Sequence, residues 1–322
     1  MIKTLEIKNF KSIKNLKLNC KRINVFIGEP NTGKSNILEA IGVLSHLWHR
    51  GTFSDFVRFE NMIDLFYDQN LERDIEFNID DRLLKIEFKN GLFYFHYKIK
   101  EKWHLIGSCN YFGDISFSLL HTDFKQYKFY RFKILNEFEN QQMEYLYPPS
   151  GNNLYVLLLS RNQLKKTISQ LVDQYGLKTV LDRRENKIKV QKDVEGIIIS
   201  YPYSLLSDTL QRIIFHIVAI ETNENSIIAF EEPEAHAFPY HTKFLAERIA
   251  LDRKKNQYFI STHNPYFLLS LLEKSPKEDI AVFLTYFENY QTKVKELNDE
   301  KKKAILDMDA DVFFNIEKLL EG

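Results

Sequence analysis

Cysteine is scarce in this chain: Cys20 and Cys109 are the only two among 322 residues. So distant a pair makes no disulfide framework and has no metal-ligand spacing, which excludes disulfide-stapled scaffolds and zinc ribbons. Two plain thiols suit a reducing cytoplasm, the expected location. Long apolar runs are also missing. None reaches the roughly 20 residues that a bilayer span requires, so no membrane partner is expected. The opening Met1-Ile2-Lys3-Thr4-Leu5-Glu6 alternates like a strand and lacks the apolar core of a signal peptide. Neither sign of charge prevails, with 44 basic and 44 acidic residues and a formal net charge of zero. That excludes a surface coated for nucleic acid and leaves room for a local basic patch. Repeats, low-complexity tracts and sustained heptads are absent too, so solenoids and long coiled-coil arms are not expected. What is present, 44% hydrophobic and 27% charged residues, describes a globular chain with a sizeable core. Its length fits two domains, or one large α/β domain with an insertion.

The strongest local signal is Gly28-Glu29-Pro30-Asn31-Thr32-Gly33-Lys34-Ser35, a complete G-x-x-x-x-G-K-S loop. A β-branched apolar segment, Ile23–Ile27, precedes it. A helical pattern follows, with Ile37, Leu38, Ala40, Ile41, Val43 and Leu44 at three-to-four spacing to about His49. Gly28 and Gly33 let the backbone turn so that successive N–H groups point into one concavity, and the helix N-terminus adds its positive dipole end. In this pattern Lys34 reaches the β- and γ-phosphates of a nucleoside triphosphate and the Ser35 hydroxyl ligates Mg²⁺. ATP and Mg²⁺ are therefore the expected ligands.

Two further apolar strands end in polar turns. Ile227-Ile228-Ala229-Phe230 runs into Glu231 and Glu232. The first acid is expected near the metal and the second is expected to orient or deprotonate the attacking water. Tyr258-Phe259-Ile260-Ser261-Thr262 leads to His263, whose imidazole can donate to a phosphate oxygen and sense hydrolysis. Between the phosphate loop and these strands, 74–133 reads as antiparallel strands with a hairpin turn at Lys89-Asn90-Gly91. After the breaker Tyr147–Asn153, residues 154–175 read as helices. The turn carrying Arg183, Arg184, Lys187 and Lys189 is either a solvated hairpin tip or a phosphate-backbone contact, which keeps nucleic acid open as a partner.

In this order the motifs resemble the ABC-class ATPase heads of the RecF, SMC and OLD-nuclease families. The resemblance rests on Leu5-Glu6-Ile7-Lys8-Asn9-Phe10-Lys11-Ser12, on the phosphate loop continuing through Asn36 to Ile41, on Phe230–His236, on Ser261–Pro265 and on the tail Asp311–Asn315. It implies an α/β P-loop NTPase of ABC-ATPase type, with a mixed central sheet, an antiparallel β-subdomain and a helical lobe. Expected segments are 1–140 for the first part of lobe I, 141–212 for the helical or signature lobe, and 213–322 for the rest of lobe I. Relatives of this kind dimerise head to tail around two ATP molecules, so a homodimer or higher homo-oligomer is implied. A signature segment of one chain then completes the site of the other. The matching segment here is Tyr203–Arg212, in which Ser207 makes a good N-cap and a γ-phosphate contact in trans.

The chain departs from its relatives in three places. The segment 203–212 lacks the usual glycine beside the serine, which puts the trans contact and the hydrolysis rate in doubt. His236-Ala237-Phe238-Pro239 lacks the second histidine of a His-Leu-His-Pro run. The glutamine loop stays open among Gln126, Gln141 and Gln142. Asp307, Asp309 and Asp311 are spaced like the acids of a Toprim nuclease, yet they follow a helical pattern where a metal-binding pair should end a strand. A separate effector, a nuclease or toxin, is therefore the expected partner, in prokaryotic DNA maintenance or anti-phage defence. Two alternatives remain: an ATP-dependent scaffold with little or no hydrolysis, and the nucleotide-binding subunit of a transporter.

Overall fold

The structure, a computed structural model, describes residues 1–320. Six strands make the central sheet: β3 (Ile23–Ile27), β9 (Tyr127–Tyr130), β13 (Ile227–Glu231), β14 (Gln257–Ser261), β15 (Ile280–Glu288) and β16 (Gln291–Glu296). Their order is β16-β15-β3-β14-β13-β9, with only the β15/β16 pair antiparallel. Strands β3 and β14 are buried along their whole length, which is why they read as unbroken apolar runs: a parallel sheet is covered on both faces. Alternate residues of β3 serve different cores. Val25 and Ile27 pack on one face with α5 (Asp208–Thr222), α6 (Pro239–Ala250) and α7 (Pro265–Lys274). Phe26 packs on the other with α1 (Lys34–His49), the short α2 (Phe53–Phe56) and the second sheet.

That second sheet is the antiparallel β-subdomain. It runs β2-β1-β4-β5-β6-β7-β8, with β1 (Thr4–Phe10), β2 (Ile13–Asn19), β4 (Ile75–Ile79), β5 (Arg82–Lys89), β6 (Leu92–Ile99), β7 (Lys102–Cys109) and β8 (Ile115–Phe117). The hairpin expected at Asn90-Gly91 joins β5 to β6, and both residues have positive φ, 50° and 81°, as a two-residue primed turn demands. The 141–212 segment carries α3 (Leu154–Ser160) and α4 (Asn162–Asp173), and also a three-stranded sheet, of which only the hairpin at the basic turn was expected. It consists of β10 (Lys178–Asp182), β11 (Lys187–Val194) and β12 (Ile197–Pro202). The basic turn is the β10–β11 hairpin tip, and Lys189 there is tied to Asp182 and Glu185 at 2.8 and 3.1 Å. Asp307 sits within α8 (Asp299–Met308), and Asp309 and Asp311 lie in the 3₁₀ turn beyond it, so these acids are at no strand end. No helix among the described residues is long and apolar enough to cross a membrane.

One buried amine sets an expectation for stability. Lys128 on β9 is 2% exposed, and its Nζ lies 3.1 Å from His49 Nε2 and 3.3 Å from the centre of the Tyr145 ring. His49 Nδ1 faces the Ser45 carbonyl at 2.9 Å, so Nδ1 carries the proton and Nε2 accepts. Burial pulls the Lys128 amine from 10.5 down to about 6. Between those values the unfolded chain binds one proton more than the folded one, so this group makes stability rise with pH from about 6 to about 10. Lys128→Met is expected to raise stability at pH 7 by on the order of 1–2 kcal/mol, with a smaller gain at pH 9. Urea unfolding at the two pH values checks this. Equal losses at both would show that the amine's contacts outweigh its desolvation.

Candidate functional site

Strands β15, β3, β14 and β13 are neighbours, so the loops at their carboxyl ends meet at one edge, where open α/β sheets bind ligands. The phosphate loop follows β3, the His263 loop follows β14 and the double acid follows β13. Register brings Glu231 opposite Ser261, and Ser261 opposite Phe26. The two glycines are required by close approach. Gly28 has φ +145° and a Cβ there would lie 2.2 Å from the Thr285 carbonyl oxygen; Gly33 has φ +93° and its Cβ would lie 2.0 Å from Thr292 Oγ1. Thr32 closes the loop from within, its hydroxyl 2.8 Å from both the Glu29 carbonyl and the Thr285 hydroxyl. From outside, the β1–β2 turn braces it: Asn36 Nδ2 donates to Ser12 Oγ at 2.7 Å, and Ser12 Oγ meets Thr292 Oγ1 at 2.7 Å.

The resulting cleft, about 380 Å³, is lined by Asn31, Gly33, Lys34, Ser35 and Asn36 from the loop and helix, and by Glu231, Glu232 and His263 across from them. Lys34 curls over the loop and donates to the carbonyls of Gly28 (3.0 Å) and Glu29 (2.6 Å). Burial pulls its amine down to about 8, against the opposing pull of Glu232 and Glu29; an anionic phosphate would favour the charged form. His263 Nε2 stands 3.7 Å from Glu232 Oε1. Burial first, and Lys34 second, lower the His263 pKa below its ordinary value, with Glu232 opposing, which favours a neutral imidazole at pH 7. Glu232 has φ +43°, a strained conformation for a non-glycine residue.

Three charged residues that sequence reasoning had not singled out join these. Arg58 lines the same cleft, and its guanidinium reaches Glu231 at 3.3 Å and Glu39 at 2.7 Å. Arg131 bridges the same two carboxylates at 3.5 and 2.9 Å. Glu39, fully buried on α1, also receives Lys11. The sequence offers one signal for this cluster: an acid in the apolar stretch of a helix that starts at a phosphate loop.

Other expected residues lie elsewhere. Ser207 caps α5, accepting the Leu210 N–H at 3.3 Å, and does not line the cleft of its own chain. Gln126 lies at the opposite, amino-terminal end of the sheet, beside a larger cavity of about 960 Å³ that contains none of the expected site residues. Gln141 and Gln142 do not line the nucleotide cleft either. The metal expectation passes a chemical test: the Ser35 hydroxyl and the Glu231 carboxylate are hard oxygen donors facing one cleft. Mg²⁺ commonly takes only one or two such protein ligands and keeps waters for the rest.

A phosphate loop on an inner strand of a mixed sheet, flanked by an antiparallel subdomain and a helical lobe, is the α/β fold of an ABC-type P-loop ATPase. Residues 1–203 match the family model described as the AAA ATPase domain, and the chain belongs to that family. An uncharacterized protein of Methanocaldococcus jannaschii is 35% identical over 89 residues, which are 23% of this chain and 40% of that relative. An SMC head solved with the C-terminal winged helix domain of ScpA is similar over 93% of this chain and 99% of its own, with a TM-score of 0.55 at 13% identity. A second SMC head, derived from Pyrococcus furiosus and bound to the ScpA C-terminal domain, gives 0.54 at 12% identity, over 95% and 98% of the two chains. At such identities the likeness is one of fold.

Proposed function

We propose that this protein is an ATP-hydrolysing switch that closes around ATP as a homodimer and acts through a separate effector. One observation carries the reading: Lys34, Ser35, Glu231, Glu232 and His263, from three segments of the chain, line one cleft. In this reading the loop amides, Gly28 to Asn36, cradle the phosphates and Lys34 neutralises the β- and γ-oxygens. Ser35 and Glu231 would hold Mg²⁺, which supplies charge neutralisation at the transferred phosphoryl group. Glu232 takes the proton of the attacking water, and neutral His263 donates to a γ-phosphate oxygen.

Ser207 is assigned to the partner's site, since it is exposed at a helix N-terminus outside its own cleft. Leu205, two residues before Ser207, is 69% accessible, and Phe238, two residues after the His236 that takes the Thr209 hydroxyl, is 71% accessible. The lobe division at about 140 and 212, the cytoplasmic location and a role in DNA maintenance or phage defence belong to the same proposal. The ScpA-bound SMC heads support docking of a separate protein on such a fold. A scaffold that hydrolyses little is the second reading, favoured by the glycine-free segment 203–212.

Light scattering tests the dimer. Glu232→Gln with ATP and Mg²⁺ is expected to run at twice the monomer mass, and Ser207→Arg in that background to return it to monomer. Unchanged mass with and without ATP would overturn the closing dimer.

A further inference from the structure

The turn after β13 is held from two sides. Glu232 and His236 both have positive φ, 43° and 61°, and the chain folds tightly through Ala235 N–H to Glu232 O and Ala237 N–H to Glu234 O, each 3.0 Å. Non-glycine residues stay in such conformations only where their surroundings fix them. One side is the His263 loop: Glu232 N–H donates to the Ser261 carbonyl at 3.0 Å, and the Thr262 hydroxyl donates to Glu234 Oε1. The same Thr262 oxygen accepts the Asn264 N–H at 3.0 Å, on the residue that caps α7. The other side is the N-terminus of α5, where Thr209 Oγ1 donates to the His236 carbonyl at 2.7 Å. Thr209 lies two residues after Ser207.

Glu234 is the unusual member. It is 4% exposed, its Oε2 has no hydrogen-bond partner, and burial pushes its carboxyl up to about 7. A neutral or apolar side chain would hold a turn at less cost than a buried, half-satisfied acid. Orphaned buried polar atoms in a native structure call for an explanation.

We infer that Glu234 is a positioning residue that links the His263 loop to the N-terminus of α5, through Thr262 on one side and the His236–Thr209 contact on the other. It rests on the reading of His263 as a γ-phosphate contact. A shift of the His263 loop moves Thr262, Thr262 moves the Glu234 turn, and the turn carries Thr209 and the first residues of α5. Contact with nucleotide in one site would thereby set the pose of the segment offered to the other.

Hydrogen exchange of the full chain with a non-hydrolysable ATP analogue and Mg²⁺ tests the link. In the wild type the analogue is expected to slow exchange at 262–265 and, by about fivefold, at 208–211. Glu234→Ala and Thr209→Val should each keep the first response and lose at least about half of the second, with analogue affinity within about threefold. Glu234→Gln, which still offers Thr262 an acceptor, should restore both. Wild-type responses at both segments in Glu234→Ala or in Thr209→Val would overturn the link. A wild type silent at 262–265 would instead sink the reading of His263, and the link with it. Should Glu234→Ala not fold, Thr209→Val, a partly exposed site, decides.

Discussion

Replacing Glu232 by glutamine is expected to cut steady-state ATP hydrolysis by about a hundredfold or more, the usual worth of a general base. Nucleotide affinity and thermal midpoint should barely move. The argument is positional. Glu232 stands one residue past the end of β13, facing the cleft that Lys34 and Ser35 line from the opposite side. Its side chain is 45% exposed, so water can reach it, and its Oε1 is 3.7 Å from His263. Glutamine keeps the size and the strained turn but cannot take a proton. Single-turnover and steady-state rates at saturating ATP, with the affinity for a non-hydrolysable analogue as control, separate chemistry from binding. Equal rates in wild type and variant would assign the proton to another group and leave Glu232 a structural acid. A wild-type rate already near that of the variant would favour the scaffold reading, in which the glycine-free Tyr203–Arg212 segment closes without turnover.

Much of this architecture was legible because its signals are local. Each apolar run, β3, β13 or β14, is followed within a few residues by its own chemical group: the phosphate-loop glycines, the two acids or the histidine. Ser207 as a helix cap follows from its own neighbourhood as well. The order of the strands does not. That β3 sits between β15 and β14 joins residue 25 to residues 282 and 260, and no local pattern encodes it. Of the β10-β11-β12 sheet the sequence reached only the hairpin at the basic turn; β12 was missed because its consecutive Ile197 and Ile198 both face solvent, so no alternation marks the strand. Arg58 and Arg131 were invisible as site residues. Their partner Glu39 lies 19 and 92 positions away, and an arginine carries no hint of which distant carboxylate it will meet.

That carboxylate sets the second large expectation. Glu39 is fully buried and takes the Arg58 guanidinium at 2.7 Å, the Arg58 N–H at 3.2 Å, Arg131 at 2.9 Å and the Lys11 ammonium. Burial alone would push its pKa up, but Lys11, Arg58 and Arg131 together outweigh it and hold the group below the ordinary carboxylate value. Its contribution to stability is therefore present above about pH 4.5 and fades as pH falls through the lower folded value. The cluster joins the β1–β2 turn through Lys11, the phosphate-loop helix through Glu39 and the end of β9 through Arg131. Glu39→Gln leaves Lys11 with no carboxylate partner and the two arginines to share Glu231, and an unbalanced buried charge of this kind costs about 3–5 kcal/mol. The urea midpoint at pH 7 should fall accordingly. In the folded fraction, both arginines should close on Glu231 and raise the Mg²⁺ concentration needed for half-maximal ATP hydrolysis. The double variant Glu39→Gln, Arg58→Met supplies the control. Removing one surplus cation should recover part of the stability, so the two changes should be less damaging together than their sum. Additive losses, with an unchanged Mg²⁺ requirement, would show that Glu39 braces the fold without influencing Glu231.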